Sequence, residues 1–223
     1  VPHALRMIAN LLLPFLHQGG AGVVVFFLVS GYIITHVLQT EQPGEFLLKR
    51  AFRIYPLFIV AVLAQYIFLV VNGNAQSLPT LLAQILLVGD IFGTPYALNG
   101  VEWTLRVEVA FYVFMAVLCS ARMLSDHKKW LPFIFMAAIL LCEFIAPIPS
   151  AEIWSKGYFT IYGPFLLLGS MCYLAEKRQA GYLLFMLFIG LVFYHYYSLM
   201  AIYQKNGLGT HFAVLAFVIF IVS

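Results

Sequence analysis

Charged residues are scarce in this chain. Asp, Glu, Lys and Arg make up 9% of its 223 residues, whereas about a quarter of the residues in a soluble domain are charged. Apolar residues make up 63% and aromatic residues 17%. A soluble fold of this length could not bury so much apolar surface. The composition therefore excludes a soluble domain and predicts an all-α, polytopic transmembrane helical bundle covered by lipid.

Cysteine is also rare, and the basic residues form no continuous stripe. Cys119, Cys142 and Cys172 lie inside apolar runs, a pattern that provides neither a disulfide framework nor the spacing of metal ligands. The net charge of +3 comes from Lys and Arg in short polar connections, without interleaved aromatic residues. We therefore expect no metal site and no nucleic-acid partner.

Long apolar runs divide the chain. A spanning helix needs about 20 mostly apolar residues, and we identify six or seven such runs and one truncated run, without an inserted soluble domain. They are Gly22 to Gln39, Tyr55 to Val71, Leu78 to Phe92, Trp103 to Ser120, Trp130 to Pro149, Gly157 to Ala175, Ala180 to Met200 and a run from about Gly209. Residues 1–223 are interpreted as one membrane domain. Because the chain opens on Val1 rather than Met and closes in an apolar run, we expect the domain to be truncated at both ends.

Three connections are basic, and basic residues accumulate in cytoplasmic loops. They contain Lys49/Arg50/Arg53, Arg122/Lys128/Lys129 and Lys177/Arg178. If all three are cytoplasmic, the chain crosses the membrane an even number of times between the first and the second, yet three runs lie there. The run from Leu78 to Phe92 is short and contains Asp90. We therefore predict a re-entrant or interfacial segment that does not cross the bilayer.

The run that begins at Trp103 contains ionisable residues, which are costly inside a membrane and mark candidate functional sites. Thr104, Glu108 and Tyr112 are spaced four residues apart, so on a helix they share one face. A carboxylate flanked by two hydroxyl groups suits acid–base chemistry or the binding of a substrate hydroxyl. The alternative is a structural hydrogen-bond network, or a position of Arg106 and Glu108 near a helix end.

A polar pair, Ser30 and Gly31, interrupts the first apolar run. Glycine allows another backbone to approach closely, and serine can form a hydrogen bond to a neighbouring helix. By itself this pair favours helix packing over a catalytic function.

Three cations, Lys49, Arg50 and Arg53, lie within five positions just before the second run. They fit two functions. One is the anchoring of the topology through contacts with lipid head groups. The other is a cradle for the phosphates of a soluble donor, because arginine presents a fork of donors to phosphate oxygens.

Together, these motifs resemble the acyltransferase-3 family of membrane-bound O-acyltransferases, many of which O-acetylate bacterial surface polysaccharides. The resemblance extends from about Gly19 to Ala175. The matching motifs are Gly22-Val23 with Phe26-Phe27 and Ser30-Gly31-Tyr32, then Lys49-Arg50-x-x-Arg53-Ile54-x-Pro56, then Trp103-Thr104-Leu105-x-x-Glu108 ending in Phe111-Tyr112, and last Phe165-Leu166-Leu167-Leu168-Gly169. In this family context, Ser30, Gly31, Trp103, Thr104 and Tyr112 are assigned to the substrate site or to its structural support.

The resemblance also implies a fold, a donor and an acceptor. It implies a bundle of about ten spanning helices, multi-pass in the bacterial inner membrane. An acyl-CoA, commonly acetyl-CoA, would be the donor substrate on the cytoplasmic side, with no permanently bound cofactor. The acceptor would be a hydroxyl group of a carbohydrate or cell-surface glycan. Lys49, Arg50 and Arg53 would bind the donor phosphates, and Glu108 would orient the catalytic base or the acceptor.

A catalytic histidine in the first helix, following an arginine, is a further implication of the resemblance. Arg6 and His17 are eleven positions apart and, at about 100° per residue, share one helix face. Asn10 and Pro14 interrupt that stretch, however. In the alternative interpretation, residues 1–20 form an external loop and the catalytic histidine lies upstream. We expect the remaining histidines to be satisfied packing or interfacial residues: His3, His36, His127, His195 and His211.

A transporter or flippase is the competing interpretation, with Arg106, Glu108 and Glu143 lining a translocation path. Inverted repeats would favour it, and we recognise none in the sequence. We therefore favour the acyltransferase, in which a histidine deprotonates the acceptor hydroxyl as it attacks the thioester.

Overall fold

The structure is a computed structural model that describes residues 6, 20–89, 94, 97–98, 100, 102–124, 130–145, 157–203 and 211–222. Within these residues the chain forms eight helices and no strand. They are α1 (Gly20–Val37), α2 (Pro43–Val71), α3 (Leu78–Ile85), α4 (Trp103–Ser120), α5 (Leu131–Phe144), α6 (Tyr158–Glu176), α7 (Tyr182–Tyr203) and α8 (Phe212–Val222). Five of them, α1, α2, α4, α6 and α7, are long and apolar enough to cross a membrane. The prediction of an all-α membrane bundle is confirmed.

Helix α2 begins earlier than the sequence predicted. The apolar run starts at Tyr55, but the helix starts at Pro43 and has 29 residues. Proline is favourable in the first turn of a helix because the missing N–H has no partner there in any case. At 1.5 Å per residue α2 is about 43 Å long, well beyond the roughly 30 Å of a hydrocarbon core. The three cations predicted to precede the span therefore lie inside the helix.

Helix α3 is too short to cross a bilayer. It has eight residues, about 12 Å of helix. The Ser77 side chain caps its first turn by accepting a hydrogen bond from the Thr80 N–H, and Leu87, with φ of 59°, lies just after its end. This agrees with the expectation that the third apolar run does not span. Asp90 lies outside the described residues.

The first of two compact units contains residues 37–125 and 147–159, which include α2, α3 and α4. Helix α2 contacts both α3 and α4. The core of this unit contains Phe58 and Val62 from α2, Leu81 from α3, and Leu87 and Ala97 from the segments that follow α3. Because all five are apolar and buried, the hydrophobic effect and close packing stabilise this unit.

The second unit contains residues 1–36, 126–146 and 160–223, and thus α1, most of α6, and α5, α7 and α8. Helices α1 and α6 cross at two glycines. A Cβ atom on Gly31 would overlap the Leu166 carbonyl oxygen, and a Cβ atom on Gly169 would overlap the Leu28 carbonyl oxygen. The Ser170 hydroxyl lies 3.2 Å from the Gly31 carbonyl oxygen and can donate to it. The packing function predicted for Gly31 is confirmed.

Candidate active site

A buried carboxylate and a buried phenol meet on α4. Glu108 is 6% exposed and Tyr112 is 5% exposed. The Tyr112 hydroxyl donates a hydrogen bond to Glu108 Oε1, as the spacing of four residues predicted. Tyr112 thus lies one turn after Glu108 on the same helix. Thr104, the third residue of the predicted face, is half-buried one turn before Glu108.

Arg50 joins this pair from α2. Its guanidinium carbon lies 5.3 Å from the ring centroid of Phe46 and 5.8 Å from the ring centroid of Tyr112. The two rings pack edge to face, with centroids 5.7 Å apart. A guanidinium over two aromatic faces is attracted by their π electrons. The structure therefore joins Arg50, Tyr112 and Glu108, which two separate sequence motifs supply, into one cluster.

The other two cations of α2 lie apart from this cluster. Lys49 is exposed and forms ion pairs of 2.9 Å with both Glu41 and Glu45. Arg53 is exposed and lies four residues after Lys49 and three after Arg50, so it neighbours both on the surface of α2. Of the three cations predicted as one phosphate cradle, Lys49 is thus held by two carboxylates, Arg50 lies over two aromatic rings, and Arg53 is exposed.

Glu102 is a buried residue that the sequence interpretation did not select. It is 1% exposed and accepts hydrogen bonds from the backbone N–H of Ala97 at 2.6 Å and of Leu98 at 3.2 Å. Arg106 Nη2 lies 3.9 Å from Glu102 Oε1, on the next turn of α4. Their spacing of four residues was the available signal. Arg106 therefore belongs with Glu102 in a structural pair that holds the segment before α4.

The remaining motif residues have packing contacts. The Trp103 ring at the start of α4 lies 5.3 Å, centroid to centroid, from the Tyr158 ring. Ser30 is half-buried on α1, next to the crossing at Gly31. The Gly31 carbonyl accepts from the hydroxyl groups of Thr35 and Ser170, and the sequence interpretation did not select Ser170. A serine directly after the late Gly169 was the available signal.

A second polar cluster lies where α1 and α6 end. The Tyr32 hydroxyl donates a hydrogen bond to Glu176, and the Tyr173 hydroxyl lies 3.4 Å from His36 Nδ1. Tyr32 and Glu176 also line an open cavity of about 560 Å³, together with residues of α7 and α8. Both helix ends lead towards connections with basic residues, so the positive-inside rule predicts that this cavity faces the cytoplasm.

All three histidines within the described residues have hydrogen-bond partners. His36 and Tyr173 are one pair, and His211 Nδ1 lies 3.1 Å from the Tyr197 hydroxyl. His195 is fully buried and lies 2.6 Å from Glu143 Oε1 and 2.7 Å from the Thr160 carbonyl oxygen. For these three, the expectation of satisfied histidines is confirmed, but the pairing of Glu143 with His195 was not foreseen.

The predicted catalytic pair of the first helix is only half described. Arg6 has an exposed side chain, whereas His17, like His3 and His127, lies outside the described residues. The pairing of Arg6 with His17 therefore stays a prediction. Among the described side chains, no group of three His, Cys, Asp or Glu residues is placed to bind a metal ion.

Comparison with known proteins supports the family resemblance. Two curated relatives come from rhizobia. Nodulation protein 10 of Rhizobium leguminosarum bv. viciae is 30% identical over 130 residues, which cover 49% of this chain and 34% of that protein. Exopolysaccharide production protein ExoZ of Rhizobium meliloti (strain 1021) is 25% identical over 218 residues, or 78% of this chain and 67% of that protein.

This chain thus spans about a third of the length of the first relative and two thirds of the second. No solved structure matches significantly. The family described as an acyltransferase domain matches residues 5–223, nearly the whole sequence. The chain therefore belongs to the acyltransferase-3 family.

Proposed function

We propose that the protein is a membrane-bound O-acyltransferase that transfers an acetyl group from acetyl-CoA to a hydroxyl group of a carbohydrate or surface glycan. The cluster of Arg50, Tyr112 and Glu108 is the observation that supports this most. It places an ionisable carboxylate in the buried part of a spanning helix, where such a group is costly unless it has a function or a partner. The printed name of ExoZ, a protein of exopolysaccharide production, supports a glycan acceptor.

The proposed reaction is an acyl transfer. The acceptor hydroxyl oxygen attacks the thioester carbon while a base removes its proton. The carbon–sulfur bond then breaks, and the thiolate of CoA receives the proton, so atoms and charge balance. A histidine suits the base because its protonation changes near neutral pH. His17, oriented by Arg6, is the candidate in this chain.

Glu108 fits a function beside that base. An ionised carboxylate only accepts hydrogen bonds, and Tyr112 already donates one. The remaining lone pairs would orient the acceptor hydroxyl or the protonated base. Because Glu108 is almost fully buried, its interaction with a nearby positive charge would be stronger than in water.

The donor site is proposed on the exposed and half-exposed cations of α2. Arg50 and Arg53 would bind the phosphates of the donor, since arginine pairs with phosphate through two parallel hydrogen bonds. No ion pair holds Arg53 among the described residues. Lys49 would contribute only after exchanging Glu41 and Glu45 for phosphate, because both carboxylates lie 2.9 Å from its Nζ.

The geometry does not favour the transporter interpretation. A translocation path needs charges that face a water-filled cavity. Instead, Arg106 lies beside Glu102, Glu143 beside His195, and Glu108 accepts from Tyr112. Membership of the acyltransferase-3 family also supports the enzyme.

The test is acetyl transfer in vesicles that contain the full-length protein. Radiolabelled acetyl-CoA and a glycan preparation from the source membrane are the substrates, and the label recovered in the glycan is measured. We expect transfer by the native protein, and a loss of at least about 100-fold in Glu108→Gln, with unchanged expression and thermal stability. Transfer that survives in Glu108→Gln while stability falls would make Glu108 a structural residue. The absence of transfer by the native protein to any hydroxyl acceptor would refute the enzyme.

A further inference from the structure

An open, apolar groove runs along the surface between α5 and α7. It has a volume of about 540 Å³ and is lined by Met136 and Leu140 of α5 and by residues of α7 from Leu183 to Tyr194. Leu183 and Tyr194 are eleven residues apart in α7, which corresponds to roughly 16 Å at 1.5 Å per residue. Both helices belong to the same compact unit and contact each other.

The groove lies on the outer surface of α5 and α7, which lipid covers in a membrane. Leu140 is 44% exposed and Leu183 is 74% exposed. Gly190 also lines the groove, and no atom lies within 4 Å of the position that its Cβ atom would occupy. The missing side chain therefore deepens the groove at this point. Only an apolar chain matches such a surface without leaving polar groups unpaired.

Polar side chains lie next to one end of the groove. Tyr194 lines it, and the next residue, His195, lies 2.6 Å from Glu143, less than one turn after Leu140 on α5. The side chain of Glu143 is 26% exposed. Its hydrogen bond to His195 uses Oε1, and no bond to Oε2 is formed by the described residues.

The hydrogen bonds of His195 determine what this polar end can accept. Nε2 faces the Thr160 carbonyl oxygen, which only accepts, so Nε2 carries a proton. One further proton must lie between Nδ1 and Glu143 Oε1, on either atom, because two lone pairs cannot form this contact. With that shared proton the pair is neutral overall. In both arrangements Glu143 Oε2 keeps lone pairs that can accept a hydrogen bond.

A neutral acceptor next to an apolar groove selects the chemistry of a ligand. A phosphate group would be repelled by the oxygen atoms of Glu143 and has no cation here among the described residues. A hydroxyl group can donate to Oε2 without a change in charge. The matching molecule is an amphiphile with an alkyl chain and an uncharged head group rich in hydroxyls.

We propose that the α5–α7 groove binds the alkyl chain of a glycolipid whose sugar hydroxyl donates a hydrogen bond to Glu143 Oε2. The inference rests on the proposed function in one respect: the glycan acceptor would reach the enzyme attached to a lipid. The binding itself does not depend on acyl transfer.

The test is photolabelling of the full-length protein in phosphatidylcholine nanodiscs. The probe is an alkyl glucoside with a diazirine in its chain, and the labelled peptides are mapped by mass spectrometry. We expect saturable labelling of α5 and α7 that excess unlabelled alkyl glucoside suppresses. A phosphatidylcholine with a diazirine in one acyl chain is the control for unspecific lipid contact. Equal labelling of the groove by that lipid, or labelling that does not saturate, would overturn the proposal.

Two variants examine the groove and its polar end separately. Gly190→Leu places a side chain in the groove without overlapping other atoms. It should reduce glucoside labelling about tenfold, equivalent to about 1.4 kcal/mol. Gly22→Leu, also exposed on a helix with no atom within 4 Å of a Cβ atom, should leave it unchanged. Glu143→Leu, which removes the acceptor oxygens, should weaken glucoside labelling while labelling by the photoreactive phosphatidylcholine stays the same. Undiminished glucoside labelling in Gly190→Leu would refute the site.

A kinetic comparison then separates this proposal from the proposed function. Gly190→Leu should raise the KM of acetyl transfer to the alkyl glucoside and leave the KM for free glucose unchanged. Saturable, Gly190-dependent labelling without any acetyl transfer would retain the lipid site and refute the enzyme. Transfer with equal KM changes for both acceptors would retain the enzyme and refute the lipid site.

Discussion

The guanidinium of Arg50 lies over the ring of Tyr112, with 5.8 Å between the guanidinium carbon and the ring centroid. The hydroxyl of the same ring donates to Glu108. A cation proposed for the donor site and a carboxylate proposed for the acceptor site thus contact opposite parts of one phenol. Tyr112 would hold the two substrate sites at a fixed separation, which acyl transfer requires of its reacting groups.

The donor site is tested by the double variant Arg50→Gln and Arg53→Gln. Removing both guanidinium groups should raise the KM for acetyl-CoA about tenfold or more, since each lost charge-assisted hydrogen bond to phosphate costs about 1.5–3 kcal/mol. The measurement is initial-rate kinetics in vesicles.

Arg178→Gln is the control, because Arg178 is an exposed arginine just after the end of α6 and outside the proposed donor site. Its KM for acetyl-CoA should equal that of the native protein. An unchanged KM in the double variant would assign Arg50 and Arg53 to topology or lipid contact instead.

The hydrogen bond between Tyr112 and Glu108 should act as a unit. Tyr112→Phe removes the hydroxyl donor and should lower kcat, and adding Glu108→Gln should lower it little further. Residues in direct contact show such non-additivity, whereas independent residues add their effects. The measurement is a double-mutant cycle on kcat.

Tyr66→Phe is the control for the loss of a phenol hydroxyl in the same unit, where Tyr66 contacts the Gln76 carbonyl oxygen at 3.4 Å. It should leave kcat unchanged. Fully additive effects of Tyr112→Phe and Glu108→Gln would show that the two side chains act independently.

The α1–α6 crossing should tolerate no side chain. Gly31→Ala and Gly169→Ala each force a methyl group against a backbone carbonyl, and such overpacking costs about 1–3 kcal/mol. Each variant should unfold at a clearly lower temperature in detergent.

Gly163→Ala on the same α6 is the comparison, because no atom lies within 4 Å of its Cβ position. Alanine is the better helix former by about 1 kcal/mol, so this variant should be as stable as the native protein or more stable. Equal stability of all three variants would contradict the close backbone contact between α1 and α6 at Gly31 and Gly169.

Topology is tested with single cysteines in a variant without Cys119, Cys142 and Cys172. Thr40→Cys and Ala121→Cys, both exposed, should react with an impermeant maleimide from the cytoplasmic side. Asn72→Cys should react from the opposite side, because α2 crosses and α3 does not. Labelling of Ala121→Cys from outside the cell would show that the run at Leu78 crosses after all.

Much of the site followed from local sequence, because its geometry is that of a single helix. Thr104, Glu108 and Tyr112 share a face since 3.6 residues make one turn, whatever packs against α4. Gly31 could be assigned to helix packing because a missing side chain has one main use in a membrane helix. Apolar runs of sufficient length gave the spanning helices, because lipid requires all backbone groups to be paired within the segment.

Tertiary structure decided which distant residues meet. The position of Arg50 over Tyr112 depends on the rotation of α2 against α4, and the early start of α2 at Pro43 was hidden because its charged turns interrupt the apolar run. The bond from His195 to Glu143 joins two helices 52 positions apart. No periodicity along one segment specifies such a pairing, since it arises from packing between helices. The sequence by itself determined the helices and the polar face of α4, and packing alone decided the partners of Arg50 and Glu143.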